Sequence, residues 1–306
     1  MKTLKIPNMI DHPPISEIDK ALQTIHKPCF SNHWLYLCRA ARDLEENRIR
    51  GWVNGANQFA IGERRGTFHV IILSRIVSED LTETCKKLST LGKYVLVRKL
   101  SHKEYLTLLT TEPFKEVPET MRVLLEDDAF PEQYLQLETL ISSISTPAYR
   151  KLRRALRRFA REVEPSELVM EKWSHPEEIL DFVYEWSKGD SEKFASYKGM
   201  IAEAFDQSRH DADCFVFRLR GRIIGLYILG YIKTQLCGLY CGITSKEYRG
   251  QTEALDFKVY ESLYNRGYRQ VLIGGAENLG VLNYLGKFCP SPVWPPVYSV
   301  LYCPKS

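Results

Sequence analysis

The sequence predicts an α/β (α+β) chain built from two copies of one core, each a mixed, mostly antiparallel sheet flanked by helices. Three observations predict it. Hairpin, helix and strand follow one another twice, over about residues 59–97 and 215–273. The 306 residues are 44% hydrophobic and 26% charged, a globular composition long enough for two ordinary domains, which excludes disorder and coiled coil as global descriptions. The longest apolar run, Ile223 to Ile232, is about half of the ~20 residues that span a bilayer, so no transmembrane segment is expected.

Each element follows from local pattern. After a polar, proline-bearing start, helical periodicity appears at Ser16–Ile25 and again from His33 to about Glu46, through Leu35, Leu37 and Ala40. Phe59 to Ile61 and Phe68 to Ile76 are the arms of a hairpin turned at Glu63-Arg64-Arg65-Gly66. Ser78 opens a helix that Gly92 stops, and Tyr94 to Val97 is a buried strand. In the second half, Leu168 to Trp173 is a strand. The capping-box pattern Ser174-x-x-Glu177 then opens a helix with the stripe Ile179, Leu180, Val183, Trp186. A helix over about Glu192–Phe205 follows. Phe215 to Leu219 and Ile223 to Ile232 pair around a tight Arg220-Gly221 turn. Leu236 to Ile243 is a third strand, a polar loop leads into a helix from about Thr252 to Asn265, and Gln270 to Ile273 is a short strand. A helix at Glu277–Lys287 and a strand at Val297–Tyr302 complete the chain.

Charge and cysteines constrain the setting. The first ten residues hold two lysines without an apolar core or cleavage site, so a cytoplasmic chain is expected. The eight cysteines are scattered without a CxxC pair and read as buried thiols, and no histidine spacing suggests a metal site. The net charge of +4 points to no partner. Its distribution does: residues 112–138 carry eight acids, and Arg150 to Arg161 carries seven bases and no acid.

The stretch from Tyr240-Cys241-Gly242-Ile243 through a polar loop to an amphipathic helix presents backbone N–H groups at a helix amino terminus, where anions are favoured. Arg249 adds positive charge, and Gly250 and Ala254 leave room for close approach. The alternative is an ordinary helix start, with Thr252 as N-cap and Glu253 as a first-turn acid. Arg249-Gly250-Gln251-Thr252-Glu253-Ala254 resembles the acyl-CoA pyrophosphate loop of the GNAT superfamily of acyltransferases. It matches at Arg249 and Ala254 and departs at Thr252, over a resemblance covering about residues 167–303. Asn278, after a Gly-Gly-Ala-Glu turn and before Phe288, resembles the family's last motif segment.

A second likeness reaches further. Glu126-Asp127-Asp128, Tyr134, Leu137, the basic segment and Gly274-Gly275-Ala276-Glu277-Asn278-Leu279-Gly280, followed by Lys287-Phe288 and Pro290, resemble the C-terminal domain of phosphatidylglycerol lysyltransferases. That family, like the Fem-type aminoacyl transferases, is similar to two GNAT cores in tandem. The resemblance implies a first GNAT-like domain over residues 1–145 without a donor loop and a second over 146–306 with one, joined by the basic helix 149–161. It also implies aminoacyl-tRNA as donor, with acyl-CoA as the alternative and no tightly bound cofactor. The acceptor is then an amine or hydroxyl of a small molecule, peptide or lipid headgroup. A module that binds nucleic acid without catalysis is the reading from another class.

In the basic helix, Leu152, Ala155, Leu156 and Phe159 form one apolar stripe, leaving Arg150, Lys151, Arg153, Arg154, Arg157, Arg158 and Arg161 toward solvent. Three partners are open: tRNA phosphates, anionic lipid headgroups, or the chain's own acidic segment. Transfer of an acyl group to an amine needs an oxyanion site and a proton donor for the leaving group. The resemblance places the first at the backbone of Tyr240 to Gly242 and the second at Tyr284, whose pKa of about 10 suits a thiolate or alkoxide. Glu277 is the alternative acid, and simple aromatic packing is the alternative for Tyr284. Trp186, Asp190 and Tyr197 either line an acceptor side or, for Trp186, join the core.

Overall fold

A computed structural model of the chain describes residues 9–11, 42–43, 48–49, 51–54, 58–64, 67–72, 78–91, 94–122, 132–173, 175–204, 212–274, 279–290 and 298–304. Their strands are β1 (Met9–Asp11), β2 (Arg42–Asp43), β3 (Arg48–Ile49), β4 (Gly51–Asn54), β5 (Gln58–Arg64), β6 (Thr67–Ile72), β7 (Tyr94–Leu100), β8 (Phe114–Glu116), β9 (Tyr134–Gln136), β10 (Leu168–Lys172), β11 (Ala212–Leu219), β12 (Arg222–Lys233), β13 (Leu236–Thr244), β14 (Gln270–Leu272) and β15 (Tyr298–Tyr302). The α-helices are α1 (Ser78–Ser89), α2 (His102–Leu109), α3 (Glu119–Arg122), α4 (Leu137–Ser143), α5 (Arg150–Glu162), α6 (Pro176–Ser187), α7 (Ser191–Ala204), α8 (Gln251–Asn265) and α9 (Leu279–Leu285).

The chain divides into two compact units, residues Met1–Glu132 with Pro295–Ser306, and Gln133–Trp294. This differs from a division at 145/146. β9 pairs with β14, which ties 133–145 to the second unit, and β15 lies between β7 and β8 in the first unit's sheet. A strand's own residues say that it is a strand and not which sheet it joins, so sequence placed β15 with its neighbours in the chain.

The first unit's sheet runs β1-β4-β5-β6-β7-β15-β8. Its hairpin β5–β6 closes at Arg64↔Thr67, and α1 carries the chain across to β7, parallel to β6. Phe68, Val70, Val95 and Val97 alternate onto the face that α1 covers with Leu81, Cys85 and Leu88. The helix expected from His33 to Glu46 fails at its end, where Arg42–Asp43 pairs with Arg48–Ile49. The expected helix at 16–25 lies outside the described residues, as do Ser174, Cys29 and Cys38. Five of the six described cysteines are buried, and Cys303 is half-buried.

The second unit's sheet runs β10-β11-β12-β13-β14-β9. Arg220 and Gly221, at φ +51° and +80°, form the two-residue loop between β11 and β12, both left-handed as a type I′ turn demands. Antiparallel strands thus lead to β13, and α8 crosses to β14, which is parallel to β13. The same parallel pair with a helical crossover occurs in both units, the observed form of the repeat in the sequence. Tyr227 and Leu229 face a core shared with Leu152 and Phe159 of α5 and Leu255, Val259 and Leu263 of α8. By alternation Leu226 and Ile228 face the other way, where α6 packs on β12 and β13. α6 starts at Pro176 from His175, which makes no side-chain cap bond, so a fixed proline φ rather than a described capping box sets its start. Among the described residues no helix is long and apolar enough to cross a membrane.

Candidate functional site

The site is built where β13 leaves β14. Leu236 to Gly238 pair with Gln270 to Leu272, and there the ladder stops. The chain beyond β14 turns to β9 instead, with Ile273 N bonded to Gln133 O and Gln133 N to Gly274 O, both at 3.1 Å. Among the described residues, the ladder partners of Leu239 to Thr244 lie in β12. A bulge at Tyr240 sets Ile228 opposite Cys241 and Leu229 opposite Leu239. The bulge shifts the alternation, so Gly242 comes onto the same face as Leu239 and lies over the Tyr227 ring, where an added β-carbon would stand 3.4 Å from it. Cys241, Ile243 and Thr244 are buried while Gly242 is exposed, so this part of β13 is accessible at the residue without a side chain.

The loop that follows is fastened by Gln251. Its side chain is 1% exposed; Oε1 accepts from the amides of Glu247 and Tyr248, and Nε2 donates to Ile224 O and Ser245 Oγ, at 3.0–3.1 Å. The helix cap is Gly250 at φ +81°, not Thr252. Thr252 instead shares a 2.7 Å hydrogen bond with Thr244 at the end of β13, and Glu253 accepts from Lys287 Nζ at 2.6 Å. Ala254 is buried, and its amide makes the first intrahelical bond, to Gly250 O at 3.0 Å. The amides of Thr252 and Glu253 precede it in the first turn and point out of the helix end. Arg249 is exposed beside them.

Gly250 does not leave room for a ligand. A β-carbon there would lie 2.2 Å from Ala155 O, so the space is filled by the backbone of α5. Tyr248 also meets Phe159 of α5 edge-on, with centroids 6.3 Å apart. The basic helix and the loop, separate features of the sequence, are one structure. Leu152, Ala155 and Phe159 are buried and Leu156 is half-buried, as the stripe predicts. Arg153 is half-buried and donates to Ile144 O at 2.5 Å and to Thr146 O. Arg150, Lys151, Arg154, Arg157, Arg158 and Arg161 are exposed, and among the described residues none forms an ion pair with an acid.

Beneath the opened edge lies a buried cluster that sequence reasoning missed in part. Asp256 of α8 accepts from Tyr227 at 2.5 Å and from Tyr284 of α9 at 2.6 Å. Burial pushes the Asp256 carboxyl up to about 6, against the lowering effect of the two hydroxyls. Burial, reinforced by the Asp256 charge, raises both tyrosines well above 10, so they remain protonated donors at neutral pH. Lys287 stands 5.0 Å from the Tyr284 ring centroid. Glu277 and Asn278 lie outside the described residues.

Trp186 and Tyr197 come together at the α6–α7 turn, half-buried and edge-on at 5.4 Å, with Lys193 Nζ 3.6 Å from the Trp186 ring centroid. Asp190 accepts from Lys193 N at 2.9 Å, an N-cap bond that gives it a structural role at the start of α7.

No protein-family model and no curated protein sequence matches the chain. Solved structures do. A conserved protein of unknown function from Bacteroides thetaiotaomicron VPI-5482 matches with a TM-score of 0.72 at 10% identity, covering 96% of this chain and 99% of its own. L-PGS from Bacillus licheniformis matches at 0.61 and 14% identity, covering 97% and 94%, and FemX at 0.58 and 11%, covering 97% of each. The fold is GNAT-like. It is shared with these structures and with a GCN5-related glucosamine N-acetyltransferase region of a fungal multi-domain protein, at a TM-score of 0.51 and 11% identity, over two mixed sheets consistent with tandem cores. At such identities the likeness concerns architecture, and the opened strand edge, loop and helix end above are described from this chain alone.

Proposed function

We propose that the protein is a GNAT-type acyltransferase whose second unit binds the donor along Tyr240 to Ala254, with aminoacyl-tRNA as that donor and an amine or hydroxyl as acceptor. One observation carries the reading: the cationic face of α5 is locked, through Ala155 and Gly250, to the start of α8, the helix end that follows β13. Exposed bases grip phosphates, the amides of Thr252 and Glu253 favour an anion, and the exposed backbone at Gly242 lies where an extended arm would run alongside β13.

In this reading the acceptor nitrogen or oxygen attacks the donor carbonyl carbon, the oxyanion is held by backbone amides of β13, and the ester bond to the leaving oxygen breaks. The acceptor's proton passes to water; Tyr284, whose hydroxyl rests on Asp256, turns to give its proton to the leaving oxygen and is reprotonated from water. Glu277 or water is the alternative for the proton transfer, Asn278 stands beside it as part of the motif segment, and Trp186, Asp190 and Tyr197 are candidates for the acceptor side. The opened edge also favours a second reading, in which the arm belongs to acyl-CoA.

Filter binding of aminoacyl-tRNA across salt concentrations separates the two. Engagement of the six exposed bases of α5 gives a log–log slope of about −4 to −5. A flat slope removes tRNA, and calorimetric binding of acetyl-CoA then supports the second reading.

A further inference from the structure

β7 runs through the first unit's sheet as Tyr-Val-Leu-Val-Arg-Lys-Leu, and all of its residues from 95 to 100 are buried, two charged ones included. Opposite Ser299 of β15 the register slips by one, so that Arg98 and Lys99 together face a single residue, with Lys99 at φ +66°. Lys99 reaches Glu132, Nζ to Oε1 at 2.7 Å, with both side chains 1% exposed or less. Arg98 finds no such acid. It is 7% exposed, and its one hydrogen bond runs from Nη1 to His69 Nδ1 at 3.4 Å. Arginine only donates, so His69 accepts with an uncharged nitrogen and brings no compensating charge.

Arg98 therefore stands in the first unit's sheet as a buried guanidinium with no acid in ion-pair contact. The guanidinium is oriented as well as unneutralised. Nε is buried and bonds to nothing, while Nη2, its neighbour on the same edge, bonds to nothing and is not closed off. Nε and Nη2 are the parallel pair that meets two oxygens of a carboxylate or phosphate. A buried arginine carries a desolvation cost that a leucine or methionine of similar bulk would not, and an anion on that edge offsets it. We propose that Arg98, backed by His69, binds an oxyanion group of a small ligand, carboxylate or phosphoryl, in the first unit. The site is independent of the donor reading of the second unit.

The test uses the full chain with inorganic phosphate or acetate as probe, at ionic strength matched by sodium chloride. Thermal unfolding of the wild type shifts upward by about 2–4 °C as one probe saturates. A larger response to phosphate assigns a phosphoryl group, and an equal or larger one to acetate assigns a carboxylate. Arg98→Met abolishes the shift. Arg98→Lys, which keeps the charge and loses the fork, reduces it by at least half, and serves alone if the methionine variant does not fold. The triple variant Arg154→Gln, Arg157→Gln, Arg158→Gln leaves it intact. No shift of the wild type beyond chloride, or equal shifts in wild type and Arg98 variants, overturns the site.

Discussion

Gly250 and Gly221 have almost the same backbone conformation, φ +81° and +80°, and opposite surroundings: the first meets Ala155 O, and the second has nothing within 4 Å. Alanine at either position incurs the left-handed penalty of about 1–2 kcal/mol. At Gly250 the added β-carbon would lie 2.2 Å from a backbone oxygen, so α5 must withdraw by roughly 1 Å to reach ordinary contact. Displacing a packed helix in this way costs a further ~1–3 kcal/mol. Gly250→Ala is therefore expected to destabilise the second unit by about 2–5 kcal/mol and Gly221→Ala by about 1–2. Urea unfolding of both variants, followed by far-UV circular dichroism and by hydrogen exchange of the α8 amides, measures the difference. Both positions lie in Gln133–Trp294, so the difference isolates the contact with α5 from the shared backbone term. Equal costs, within about 0.5 kcal/mol, would refute the interlock of loop and basic helix, and with it the main support for a polyanionic donor.

Three further outcomes are expected. The raised carboxyl of Asp256 contributes stability that is present below an unfolded pKa of about 4 and is lost as pH rises through about 6. Relative to Asp256→Asn, the wild type should thus gain up to ~3 kcal/mol between pH 7 and pH 4, and a pH-independent difference between the two proteins contradicts the burial of a charge there. Tyr284→Phe removes one of the two donors to Asp256, at a cost of about 1–3 kcal/mol, and on the proposed mechanism lowers kcat by about 10²-fold or more with KM for the donor unchanged; retained turnover moves the acid elsewhere. Gln251→Ala orphans the amides of Glu247 and Tyr248 and removes one of the two donors to Ile224 O, which keeps the Ser245 amide, so we expect a loss of about 2 kcal/mol or more and faster exchange throughout the loop, and protection at the wild-type level would be inconsistent with its fastening role.

What was legible in the sequence follows the range of the interactions involved. The Arg220-Gly221 hairpin, the strand at 236–244, the helix after it and the apolar stripe of α5 depend on residues within about one element, and each stands where its pattern places it. The cluster of Tyr227, Asp256 and Tyr284 joins three elements separated by nearly thirty residues each time, and no local periodicity links them. A signal existed in Asp256 itself, an acid beside the apolar stripe of α8, next to Leu255 and one turn before Val259 and Tyr260. Gly250 shows the limit in another way. Its left-handed conformation was foreseeable from the residue, whereas the occupant of its space, a carbonyl about a hundred residues earlier, required the fold.

The place of β15 bears on how the protein is made. The second unit is continuous in sequence, but the first unit's sheet has β15 between β7 and β8, so among the described residues β8 has no strand beside it until the last of these residues has left the ribosome. Synthesis at about 5–20 residues per second leaves β7 and β8 as unpaired edges for roughly ten to forty seconds while residues 117–297 are added. The unit begun first is thus the one finished last. A fragment ending at Glu132 would keep two bare strand edges, and aggregation of that fragment, cured by supplying the β15 segment as a peptide, is the behaviour this topology dictates.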